Sequence, residues 1–76
     1  MQVVRDRLED EAFQRYEDWR DECSTVQAAY RRWRSAAGAD STFAFAAYAA
    51  ALDREERAAV QYQAALREGE RLLSRR

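Results

Sequence analysis

The sequence predicts an all-α fold: an antiparallel two-helix hairpin that dimerises into a four-helix bundle. Three observations carry this. Proline is absent and only two glycines interrupt 76 residues, so the chain has little of the punctuation that breaks helices. Two long stretches place apolar residues at alternating steps of three and four, the spacing of one helical face packed on a neighbour. Between them lies one short cluster of turn-forming residues, Ser35-Ala-Ala-Gly38-Ala-Asp40-Ser41-Thr42.

Helix 1 is expected from about residue 3 to 37. Its stripe is Ala12, Tyr16, Trp19, Cys23, Val26, Tyr30, Trp33 and Ala37, and it contains a phrase stated twice, Tyr16-Glu-Asp-Trp19-Arg20 and Tyr30-Arg-Arg-Trp33-Arg34, 14 residues apart. Fourteen residues are two heptads, so both Tyr/Trp pairs fall on one line of a supercoiled helix. Arg5/Glu9, Arg7/Glu11 and Glu11/Arg15 are spaced as ion pairs one turn apart. A turn is expected near residues 37–41, with Gly38 closing helix 1 and Asp40 or Ser41 capping helix 2.

Helix 2 is expected from about residue 41 to 74, with Phe45, Tyr48, Leu52, Glu55, Ala59, Tyr62, Leu66, Gly69 and Leu73 on its stripe. Folding back at the turn brings Trp33 opposite Phe45, Tyr30 opposite Tyr48, Val26 opposite Leu52, Trp19 opposite Ala59 and Tyr16 opposite Tyr62. Cys23 joins these as a small apolar member of the hairpin core. The segment Phe43-Ala-Phe-Ala-Ala-Tyr-Ala-Ala-Ala-Leu52 is apolar around its whole circumference, which calls for burial on every side. With Phe45, Tyr48 and Leu52 assigned to the hairpin, Phe43, Ala46, Ala47, Ala50 and Ala51 are expected to meet a second hairpin across a two-fold axis. Whether the two hairpins run parallel or antiparallel is left open.

The length bounds the chain to one domain, residues 1–76, and a core this small needs staples or self-association. One cysteine and no histidine argue against disulfides and structural zinc, and a lone cysteine fits a reducing cytoplasm. All 13 basic residues are arginine while Lys, Asn and Ile are missing, a bias of GC-rich bacterial or phage coding. A net charge of −1 with interspersed signs opposes a bulk electrostatic grip on nucleic acid. No apolar run approaches the ~20 residues of a membrane span, and the first residues lack the apolar core of a signal peptide.

Three clusters could carry chemistry. Arg31, Arg32 and Arg34 around Trp33 could contact an anion or a partner, although as a basic helix end they also complement the macrodipole. Glu17, Asp18, Asp21 and Glu22 lie opposite Asp53, Glu55 and Glu56, an oxygen-donor set of the kind that holds Mg²⁺ or Mn²⁺, with Arg20, Arg54 and Arg57 interleaved. Cys23 lacks a base, and neighbouring acids would raise its pKa. A small Ala-rich hairpin with a tryptophan near its turn resembles the secreted helical hairpins named for a Trp-x-Gly motif, which pair into four-helix bundles. Here that motif reads Trp33-Arg34-Ser35, so the resemblance implies an architecture and no activity. The expected function is that of a small non-enzymatic protein, cofactor-free, which forms a homodimer and binds an unidentified protein partner as a regulator, adaptor or phage-type modulator. The alternative is a divalent-metal-binding bundle, open to enzymatic chemistry, built on the mid-hairpin carboxylates.

Overall fold

The structure, a computed structural model, describes residues 2–74, which form two helices, α1 (Gln2–Ser35) and α2 (Ala39–Leu73), with no strand among the described residues. They lie antiparallel in a rod with Cα extents of 59 × 14 × 11 Å. None of the described helices is long and apolar enough to cross a membrane.

The connection is shorter than the sequence suggests, and its capping differs. The Ser35 hydroxyl turns back to donate to the carbonyls of Arg31 and Arg32 at 3.1 and 3.2 Å, and the Ala36 amide donates to the Trp33 carbonyl at 3.2 Å, a tightened last turn that ends α1. Gly38, at φ 60° and ψ −136°, is itself the N-cap of α2, and its carbonyl accepts from the Ser41 amide at 3.1 Å. Neither Asp40 nor Ser41 serves as the cap, because glycine reaches a backbone region closed to other residues and so reverses the chain in three residues. Asp40 falls instead in the first turn of α2, while Arg32 and Arg34 occupy the last turn of α1. Both placements suit the helix dipoles.

The packed seam is rotated from the expected stripes by about 50° on each helix, one heptad position. On α1 the shielded heptad line runs Leu8, Ala12, Arg15, Trp19, Glu22, Val26, Ala29, Trp33 and Ala36, with Tyr16, Asp18 and Cys23 half-buried beside it. On α2 it runs Ser41, Ala44, Tyr48, Ala51, Glu55, Ala58, Tyr62, Ala65, Gly69 and Leu72, with Ala49 and Ala59 half-buried beside it. Ala12, Trp19, Val26, Trp33, Tyr48, Glu55, Tyr62 and Gly69 belong to both the expected stripes and the observed seam. Tyr16, Cys23, Tyr30, Phe45, Leu52, Ala59 and Leu66 are displaced to the edge, where Tyr30, Phe45, Leu52 and Leu66 are exposed.

Alanines explain the rotation. Only Ala29, Ala44, Ala51 and Ala58 are buried among the described residues. Residues whose numbers sum to about 77 lie level, as the pairs Arg15–Gln61, Glu22–Arg54 and Trp33–Phe45 show. Trp33 is then level with Ala44, Val26 with Ala51, Trp19 with Ala58, and Tyr48 with Ala29. A large side chain on one helix meets a methyl on the other, which permits close approach and dense packing. Ala51, expected on an outer interface, is fully covered at 0% exposure because it belongs to this seam.

Two tests follow the backbone and the seam. An added Cβ at Gly69 meets nothing within 4 Å, so Gly69→Ala should raise stability by about 1 kcal/mol in a thermal melt followed by circular dichroism. At Gly38 the positive φ makes the same change costly, about 1–3 kcal/mol. Enlarging the covered position, Ala51→Leu, should cost about 1–3 kcal/mol, whereas Ala64→Leu on the exposed side should be near neutral.

Candidate functional site

The repeated Tyr-x-x-Trp-Arg phrase builds the same object twice. In the first copy Tyr16 and Trp19 have ring centroids 6.1 Å apart, Tyr16 and Tyr62 5.5 Å, and Trp19 stacks on Tyr62 at 6.0 Å and 17°. In the second, Tyr30 and Trp33 are 6.1 Å apart, Tyr30 and Tyr48 5.5 Å, and Trp33 stacks on Tyr48 at 5.5 Å and 16°. The repetition requires α2 to carry its tyrosines 14 residues apart as well, and Tyr48 and Tyr62 do so. Phe45 adds a ring 5.1 Å from Trp33 at the turn end. Each aromatic pair adds about 0.5–1.5 kcal/mol beyond the area it buries.

An arginine latches each box. Arg20 donates to the Tyr16 hydroxyl at 2.8 Å and Arg34 to the Tyr30 hydroxyl at 3.1 Å, with each guanidinium carbon 5.8 Å from the tyrosine ring centroid. The hydroxyl contact raises the pKa of both guanidinium groups. Arg34 is thereby engaged with its own helix. Arg31 and Arg32 are exposed, and Arg32 turns toward the opposite side of the rod.

Between the boxes this face carries Cys23, Leu52 and one carboxylate. Trp19 donates its indole N–H to Glu55 Oε2 at 2.7 Å, so the charge that interrupts the α2 stripe has a specific partner. Cys23 lies beside them, its thiol pKa raised by burial first and by Glu55 second, with Arg20 opposing. The acids adjacent in sequence, Asp21 and Glu22, are not the cause. At the far end Ala12, Phe13, Tyr16, Tyr62 and Leu66 line a shallow hollow. Tyr16, Cys23 and Tyr30 of α1 and Phe45, Leu52, Ala59 and Leu66 of α2 thus share one face of the rod.

The reverse face is charged. Asp18, Asp21 and Glu22 share a cleft with Arg54, Arg57 and Gln61, and Arg54 bridges Glu22 at 3.5 Å. Glu55 is on the aromatic side, and Asp53 and Glu56 border a separate hollow with Val60 on α2. The seam therefore divides the carboxylates that sequence register brought opposite one another. Among the described residues no three potential ligands are grouped to hold a metal ion. Nearer the turn, Phe43 and Ala47 line a groove with Arg32, Ser35, Ala36, Asp40 and Ala44. Phe43 is 74% exposed, and Ala46, Ala47 and Ala50 are exposed as well. Of the expected interface residues, only Ala51 is drawn into the seam.

No protein-family model, curated protein or solved structure matches the chain. The geometry must carry the functional reading.

Sequence reasoning missed the alanine line 44, 51 and 58 and the Trp19–Glu55 bond. A seven-residue alanine period was present, but alanine also fills the other sides of α2. The state of Cys23 gives a direct test. A raised thiol pKa in the folded chain contributes stability below the unfolded thiol's pKa, and that contribution is lost as pH rises through the folded value. Alkylation of Cys23 in mildly alkaline buffer should accordingly be slower in the folded than in the unfolded chain. Glu55→Gln, which keeps an acceptor for Trp19 and removes the charge, should shift the folded pH–rate profile toward lower pH.

Proposed function

We propose that the chain is a small non-enzymatic helical protein that self-associates and acts by binding a protein partner, as a regulator or adaptor does. One observation carries the reading: among the described residues no large side chain is fully buried, and the interior consists of four alanines. A hairpin of this kind leaves its bulky apolar groups for another surface to cover.

The exposed and half-buried groups of the aromatic face are of the kind that binding surfaces use. Tyr, Trp and Arg dominate protein interfaces energetically, and they are the residues of the two latched boxes. Phe43, exposed in a groove rimmed by Arg32 and Asp40, offers a second apolar anchor with polar edges. Chemistry has less support. Cys23 is held toward its neutral thiol, the chain has no histidine, and the carboxylates are divided between two sides.

Sedimentation equilibrium at micromolar concentration tests self-association. The expected mass is an integral multiple of 8.9 kDa, at least twofold, with helicity that falls on dilution as dissociation exposes the apolar faces. A folded monomer whose helicity does not change with concentration would overturn the proposal.

A further inference from the structure

We infer that a second copy of this chain covers the aromatic face, with the two hairpins stacked turn over turn about a two-fold axis parallel to their length. The inference rests on the self-association proposed above and adds which face is used and how the copies are oriented.

Area supports a second copy as the occupant. A folded monomer of 8.9 kDa is expected to expose about 4,800 Å², whereas this hairpin exposes 5992 Å². The excess, on the order of 1,200 Å², exceeds the ~800 Å² each partner contributes to a standard interface. The rod that carries this face is 59 Å long and 14 Å across its Cα atoms, so overlap along the full length of two rods gives a footprint of about that standard size. A rod of this length with one aromatic face is matched along its whole extent by another rod of the same length.

Charge chooses the orientation. Two helical hairpins stacked by a two-fold axis lie either turn over turn, with α1 on the other copy's α2, or head to tail, with α1 on α1. Arg20 and Glu56 follow the edge residues Tyr16 and Leu52 by one helical turn, Glu56 standing between that edge and the hollow it borders with Val60, and the two are nearly level by the register of the hairpin. Turn over turn sets Arg20 opposite Glu56 of the partner subunit, and symmetry repeats the pair. Fully overlapped head to tail, the same groups meet as Arg20 on Arg20 and Glu56 on Glu56, both at mid-length and both repulsive.

The test combines mass with one distance. In a Cys23→Ser background, a spin label at Ala39→Cys marks the turn end on the outward side of α2. Turn over turn, the two labels of a dimer should be roughly 20 Å apart, about two helix diameters. Head to tail, they should be separated by about 50 Å, the length of α1 at 1.5 Å per residue, and that result overturns the orientation. Leu52→Arg on the aromatic face should reduce the mass to that of a monomer, while Val60→Arg on the outer side of α2 should leave it unchanged. If Leu52→Arg prevents folding, the label distance still decides the orientation and Ala47→Glu still decides the face, since a dimer that survives Ala47→Glu does not use the reverse side. A dimer indifferent to Leu52→Arg but dissociated by Ala47→Glu would put the mate on the reverse face, overturning this inference while self-association stands. A monomeric parent protein overturns both.

Discussion

The structure depends on a steric rule applied at four points of one line: Trp19, Val26, Trp33 and Tyr48 on the seam each face an alanine. Trp19, Trp33 and Val26 of α1 stand level with Ala58, Ala44 and Ala51 of α2, and Tyr48 of α2 stands level with Ala29 of α1. Two helices can approach closely only where their contact residues interlock in this way. A tryptophan opposed to a methyl lays its ring over the neighbour and reaches past it. That is why Trp19 stacks on Tyr62 and Trp33 on Tyr48, at 17° and 16°, on the side away from the alanines.

The two sides of the rod diverge from this single choice. Rings displaced from the seam gather on one side with their hydroxyls held by Arg20 and Arg34, so the polar atoms lie at the rim and the ring bodies in the centre. On the other side the shallow line of alanines leaves room for Glu22, Arg54, Asp18 and Arg57 to stand up around a cleft. Surface ion pairs of this kind add little stability individually. Their effect is to keep that side hydrated. Glu55 is the exception, a carboxylate on the aromatic side whose indole donor at 2.7 Å satisfies one of its oxygens.

Much of the fold was legible in the sequence, because it lay in patterns that depend only on helical geometry. The missing proline, the 3-4 spacing and the single turn cluster led to two helices of nearly the observed length. The ring pairs Tyr16–Tyr62, Tyr30–Tyr48 and Trp33–Phe45 follow from folding about Gly38. The seam itself was misread by one heptad position, since bulky residues dominate an apolar stripe even when close packing is governed by the smallest ones. The cap was misread for a related reason: Asp40 and Ser41 are better capping residues by type, but only Gly38 has the backbone freedom for so short a reversal. Of the candidate site, the aromatic repeat was visible as a line of residues. Its exposure on one side followed only from the rotation of the seam.

The 14-residue repeat gives the aromatic face a property that neither box has alone, a near-translation of about 21 Å along the rod at 1.5 Å per residue. A surface that repeats along its length can be gripped at two staggers, full overlap or a slip of one box. A slipped pair leaves one box uncovered at each end, and an uncovered box is a place for a further copy to add, which turns a closed assembly into an open chain. The α2 positions between and beyond the tyrosines break this degeneracy, for they read Ser41, Glu55 and Gly69. Glu55 thus marks the centre of an otherwise repeating surface, in the way that one polar residue sets the register of a coiled coil.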